Sequence, residues 1–235
     1  MSNFLAWLVG FIWNWPVVIL CLFGAIFFTI VQKFIQFKSI PHAIDLLKGK
    51  FDNPNEEGEI THFQALSAAL SGTIGLGNIA GVSIAIAMGG PGAVFWMWIV
   101  GCFGMATKFV ECTLGTHYRY IDEKGHVHGG PMYYIAKALP SYFSPLAKIY
   151  ALLISIAAIG AGCLFQTNQA SLAIQGSFGI DAWIPGLVLC FLSGFVIIGG
   201  IKRIGHVASR IVPTMCLVYV AGAVIICILN YKLIP

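Results

Sequence analysis

The chain has 235 residues, of which 58% are hydrophobic and 9% charged, and its mean hydropathy is +0.87. Soluble globular domains carry about 25% charged residues, so this composition excludes one and specifies a polytopic membrane protein. The formal net charge of +4 implies no nucleic-acid partner, because in a membrane chain the placement of Lys and Arg matters more than their sum.

No Lys or Arg precedes the first apolar run and no small-residue cleavage pattern follows it, so no removable signal peptide is expected. The first span is predicted over 15–37, with Trp7, Trp13 and Trp15 clustered where an interfacial aromatic belt would sit. A polar stretch over 38–58 carries Lys38, Lys48 and Lys50, then Asp52, Glu56 and Glu57 around Pro54. It reads as a solvated loop with a short amphipathic helix over 40–47.

The next apolar segment, 61–88, is longer than the roughly 20 residues a span needs. It is interrupted by Ser71-Gly72-Thr73-Ile74-Gly75-Leu76-Gly77-Asn78-Ile79-Ala80-Gly81. Gly72, Gly75 and Gly77 together remove about 3 kcal/mol of helix propensity relative to alanine. Each unpaired N–H or C=O in hydrocarbon costs several kcal/mol, so non-helical backbone at that depth must be buried by protein or line a wet cavity. A broken helix aims the N–H groups of one half at an anionic group and the carbonyls of the other at a cation. The competing reading is close helix packing through small residues at four-residue spacing, which Gly77 and Gly81 satisfy; Thr73 and Asn78 are not needed for packing.

A tight turn at Gly89-Gly90-Pro91-Gly92 leads into a third span over 93–118, in which Lys108 and Glu111 are three apart and share a helix face. They read as a salt bridge or a snorkelling lysine at the interface, with a part in gating as the alternative. In the polar segment 119–148, a short helix is expected after Pro131. His126 and His128 invite a metal reading, but without a thiol or spaced carboxylate they read first as polar loop residues. The fourth span, 149–174, is apolar until Gln166-Thr167-Asn168-Gln169. Gln166 and Asn168 point about 200° apart on a helix, so one of them faces a site squarely; interhelical hydrogen bonding is the plainer role for both. A fifth span follows over 183–200 and a sixth over 207–230, with Pro213 as an expected kink. The seven cysteines lie singly in apolar runs and read as packing residues. Every Lys and Arg except Lys232 falls in or beside the loops after spans one, three and five, which places the N-terminus outside.

Gly89-Gly90-Pro91-Gly92-Ala93-Val94-Phe95-Trp96-Met97-Trp98-Ile99 resembles the signature of the alanine or glycine:cation symporter family, the bacterial sodium:alanine symporters. Residues 65–81, Gly104-Met105-Ala106-Thr107-Lys108-Phe109 and Gly129-Gly130-Pro131-Met132-Tyr133-Tyr134 also resemble that family. The resemblance implies an all-α LeuT-type fold with one extra N-terminal span and two inverted five-helix repeats. On that pattern 1–37 is the extra span, 38–60 a cytoplasmic loop and 61–235 the first repeat. The 235 residues then leave no room for the second repeat, which is expected to be lost or truncated, or to lie on another polypeptide.

Gly75-Leu76-Gly77-Asn78 is similar to the same four letters in the first core helix of LeuT-type amino-acid transporters. The resemblance implies that the N–H groups of Leu76 and Gly77 hold the substrate carboxylate and that the Thr73 carbonyl takes the ammonium or helps bind Na⁺. Asn78 would offer its side-chain oxygen to Na⁺, and the carbonyls of Ser71 and Ile74 would form part of a second Na⁺ site. Gln166 and Asn168 fall where the family carries a glutamine and an asparagine. The implied activity is Na⁺-coupled symport of alanine or glycine across the plasma membrane by alternating access, with Na⁺ as coupling ion and no other cofactor. Two other classes compete. One is a non-transporting remnant or half-transporter needing a second chain; the other is a membrane enzyme using Glu111, His126 and His128.

Overall fold

The computed structural model describes residues 2–51, 60–123 and 125–231. Asp52, Glu56 and Glu57 of the first loop, and Lys232, lie outside them. Helices α1 (Ser2–Ile12) and α2 (Trp15–Val31) are followed by the short α3 (Ile35–Lys38) and α4 (Ile40–Leu47), then by α5 (His62–Thr73), α6 (Leu76–Gly89) and α7 (Gly92–His117). After a hairpin of β1 (Tyr120–Ile121) and β2 (Val127–His128) come α8 (Pro131–Ala138), α9 (Ser144–Ala157), a π-helical segment (Ala158–Leu164), α10 (Phe165–Phe178), α11 (Trp183–Ile197) and α12 (Gly200–Leu229). Four helical stretches are long and apolar enough to cross a membrane, Phe4–Val31, Gly92–His117, Ser141–Phe178 and Gly200–Leu229; the pair His62–Thr73 and Asn78–Gly89, bent by 44°, makes a fifth. This is the all-α polytopic membrane architecture that the composition requires.

The burial pattern says the same. Among the described residues, the buried ones are small, such as Ala25, Thr29, Ser67, Ala106 and Ala208, while large apolar side chains such as Phe23, Leu217 and Leu229 are exposed. Lipid tails solvate those large side chains, and helices associate through small residues that let backbones approach.

The chain divides into two compact units, Met1–Ile44 with Gly81–Ile154, and Asp45–Ala80 with Ser155–Pro235. In the first, α2 packs along α7. α2 ends in a Schellman turn: the Phe34 N–H donates to the Thr29 carbonyl at 2.9 Å and the Lys33 N–H to that of Ile30 at 3.0 Å. Lys33 and Phe34 both take positive φ, 51° and 61°, without being glycine. The Gln36 Nε2 reaches back from α3 to the Thr29 Oγ1 at 3.4 Å, and α3 packs on α7. The first span therefore stops at Val31, several residues short of the predicted 37, because this turn folds the chain back on itself.

In the second unit α12 lies along α5. Gly205, Ala208 and Val212, at helical spacing, are its buried stripe, and Ser67 is the buried residue of α5. A Cβ at Gly205 would lie 3.0 Å from Ile60 Cγ2, just before α5, and 3.5 Å from Gln64 Cβ in the first turn of α5, so a larger residue there would have to displace Ile60. α12 runs unbroken through Pro213 and begins at Gly200, so Lys202 and Arg203, which fall between the predicted fifth and sixth spans, lie on the helix itself, as Arg210 does. The Arg203 guanidinium donates to the Phe195 carbonyl at 2.8 Å and lies over the Phe195 ring, which caps the C-terminus of α11.

Candidate functional site

α5 begins on a capping box that its own sequence supplies. Thr61 Oγ1 accepts from the Gln64 N–H at 3.3 Å and Gln64 Oε1 accepts from the Thr61 N–H at 3.2 Å. Its other end is not closed in this way. The helix stops after Thr73, Ile74 turns extended at φ −84° and ψ 98°, and α6 starts at Leu76. The break is thus only Ile74 and Gly75, narrower than the glycine-rich stretch implied. Gly72 lies in the last turn of α5 and Gly77 in the first turn of α6, where a glycine costs less than in a helix interior.

Helix geometry leaves the last carbonyls of α5 without intrahelical donors and the first N–H groups of α6 without intrahelical acceptors; of the latter, the Asn78 N–H finds the Gly75 carbonyl at 3.0 Å. Leu76 and Gly77 hold the first two positions of α6. Asn78 spans the break: its Nδ2 donates to the Thr73 carbonyl at 2.7 Å. A carbonyl oxygen can only accept, so the side-chain atom facing it must be the nitrogen, and Oδ1 is the branch turned away from Thr73. The hydroxyls of Ser71 and Thr73 are satisfied within α5, donating to the carbonyls of Ala68 at 2.9 Å and Ala69 at 2.8 Å.

A side chain from another span reaches the break. A Cβ on Gly75 would lie 3.0 Å from Gln166 Nε2 and 3.4 Å from both Cδ and Oε1, so the Gln166 amide borders the space that a side chain at Gly75 would take. Asn168, by contrast, is exposed, and no hydrogen bond joins it to the break among the described residues. Sequence reasoning did not anticipate what sets the phase of Gln166. The span carrying it becomes π-helical from Ala158 to Leu164, and the Phe165 N–H bonds to the Gly160 carbonyl five residues back. The extra residue in that turn rotates everything beyond it by about 100° relative to an unbroken α-helix. The paired glycines 160 and 162 at mid-span were the one legible signal.

The remaining polar candidates lie in the first unit. Lys108 and Glu111 pair at 3.1 Å, both exposed. His126 and His128 meet the carboxylate of Asp122 at 3.4 Å and 3.3 Å. His128 also stacks on Tyr120 at 5.0 Å, and the Lys137 ammonium sits over the same ring at 4.7 Å. So the histidines build the hairpin and do not join Glu111, and among the described residues no three His, Cys, Asp or Glu side chains are placed to hold a metal ion. Nearby on α8, burial pushes the phenol pKa of Tyr134 up, and the Glu111 carboxylate adds to that.

A family model described as the sodium:alanine symporter family matches residues 1–235, the whole chain. The chain belongs to that family. Among curated relatives, the sodium/alanine symporter AgcS of Methanococcus maripaludis is 43% identical over 225 residues, covering 94% of this chain and 49% of that protein. The amino-acid carrier protein AlsT of Bacillus subtilis is 38% identical over 228 residues, covering 96% and 47%. An uncharacterized transporter of Haemophilus influenzae is 39% identical over 236 residues, covering 100% and 51%. This sodium:alanine symporter family chain thus spans about half the length of the relatives it matches. The family is one of transporters.

Proposed function

We propose that this chain forms the substrate and cation half-site of a Na⁺-coupled symporter of small neutral amino acids, alanine or glycine, in the plasma membrane, with its N-terminus outside and a LeuT-type repeat as its frame. The observation that carries this reading is the break at Ile74–Gly75, with Asn78 bonded to the Thr73 carbonyl and the Gln166 amide against Gly75. The N–H groups of Leu76 and Gly77, at the positive end of the α6 dipole, take the substrate carboxylate. The carbonyls of Ser71, Thr73 and Ile74, at the negative end of α5, take Na⁺ or the substrate ammonium, and Asn78 Oδ1 adds an oxygen to the cation. Gln166 fills the space beside Gly75, which favours a substrate with a small side chain. A carboxylate and a cation bound on either side of one break stabilise each other, and this reciprocity is the thermodynamic core of symport. Alternating access then moves the half-helices about the break.

Calorimetric titration of alanine into the purified chain, in Na⁺ and in choline, tests the reading. The expected result is binding that requires Na⁺. Asn78→Ala should weaken it about tenfold, the equivalent of one hydrogen bond to a charged group, and raised Na⁺ should recover part of the loss. Alanine binding indifferent both to Na⁺ and to Asn78→Ala would remove the break from the site.

A further inference from the structure

α4 has a face that no part of the described protein covers. At about 100° per residue, Ile40, Ile44 and Leu47 fall within one narrow arc of the helix, while His42 and Asp45 lie on the opposite side. All three apolar side chains are exposed, at 52%, 47% and 41%. This is too short a helix to cross a bilayer, and its apolar face has nothing to do in water.

Its position and charge identify the occupant. The Schellman turn at Lys33 and the bond from Gln36 to Thr29 hold α3 beside the last turn of α2, and α4 begins two residues after α3 ends. α4 therefore starts level with the end of a membrane span and not out in solvent. Lys38 precedes it, and Lys48 and Lys50 follow it, all exposed. Lys50 folds back to Asp45 at 3.0 Å, which offsets the one acidic side chain of the helix, so that Lys38 before it and Lys48 after it carry its positive charge. Lysines at an interfacial helix reach headgroup phosphates while their stems lie over the acyl region.

We propose that α4 docks on the leaflet at which α2 ends, its Ile40–Ile44–Leu47 face sunk among acyl chains and its flanking lysines on anionic phospholipid headgroups. The helix then anchors the linker that leads from α2 towards the broken span, so anionic lipid would bear on the conformations that linker permits.

The test places an environment-sensitive fluorophore at Ile44→Cys or His42→Cys in the full chain, with the native cysteines replaced, in nanodiscs of phosphatidylcholine with and without phosphatidylglycerol. With phosphatidylglycerol, the label at 44 should be blue-shifted and strongly quenched by lipids brominated just below the headgroup, and the label at 42 should remain solvent-like. Combined Lys38→Glu, Lys48→Glu and Lys50→Glu should reduce quenching at 44 severalfold in the anionic discs. Equal quenching at 42 and 44, shielding at 44 without lipid quenching, or quenching at 44 indifferent to headgroup charge and to the lysines would each overturn the proposal.

Discussion

Two spans are interrupted at points that fall in the second unit, and they are interrupted in opposite ways. Between α5 and α6 the helix stops, so carbonyls and N–H groups on either side lose their intrahelical partners and become available to a ligand. Between α9 and α10 the helix widens into a π segment instead, so the backbone bonds are kept in a longer ring, as in the Phe165 to Gly160 bond, and only the direction of later side chains changes. The first device presents backbone; the second aims a side chain. Both meet at one point, where Gln166 lies on Gly75.

If the break works through backbone N–H groups, Gly77→Val should have the largest effect. A β-branched side chain there crowds the approach of a carboxylate, and losing two charge-assisted bonds of roughly 1.5–3 kcal/mol each lowers affinity by two or more orders of magnitude. Unlike Asn78→Ala, it should not recover in high Na⁺. Gly10→Val, at a position where a Cβ would meet nothing within 4 Å, should leave alanine affinity unchanged in the same binding assay. Wild-type affinity in Gly77→Val would mean the break serves packing alone.

Inserting one alanine between Leu164 and Phe165 tests the other device. Taken up as one more α-helical residue, it rotates Gln166 by about 100° off Gly75, whereas deleting Gly160 lets the π turn close to α with Gln166 still facing Gly75. Alanine affinity should fall by up to about tenfold in the insertion, the worth of one neutral hydrogen bond, and should survive in the deletion, while far-UV circular dichroism stays unchanged in both. Unaltered binding in the insertion would show that the direction of Gln166 does not bear on the site.

Smaller effects separate the site from its support. Gly205→Leu drives a side chain into Ile60 and Gln64 on the α5 side; such overpacking costs about 1–3 kcal/mol and should appear as a lowered melting temperature in detergent. Smallest of all, Thr61→Ala removes the capping box at the satisfied end of α5 and should cost about 1 kcal/mol of stability without changing Na⁺ dependence. A change in Na⁺ dependence there would mean that the two ends of α5 are coupled.

Much of this is legible in the residues alone. The spans over 61–88 and 93–118, the short helices after residue 40 and after Pro131, and the Lys108–Glu111 pair all follow from apolar run length, proline placement and helical spacing, which act locally. The break is legible as well, although its width is not. Glycine lowers helix propensity wherever it stands, but Gly72 and Gly77 are kept in helical turns because they fall at helix ends. The start of the sixth span departs from expectation for a similar reason: Lys202 and Arg203 read as loop residues by charge, yet long basic side chains can sit on a helix and send their charge elsewhere, as Arg203 does to the Phe195 carbonyl.

By itself, then, the sequence determined that this is an α-helical membrane protein with a span broken somewhere within the glycine-rich stretch 71–81, because hydrophobicity and backbone propensity are properties of consecutive residues. The tertiary structure alone decided that Gln166 and not Asn168 reaches that break, that Gly205 lets α12 close on Ile60, and that Asp122 holds both hairpin histidines. Those outcomes depend on helix phase and on contacts between segments far apart in the chain. One residue of π-helical phase turns a side chain by about 100°, and no local pattern encodes which neighbour it will then meet.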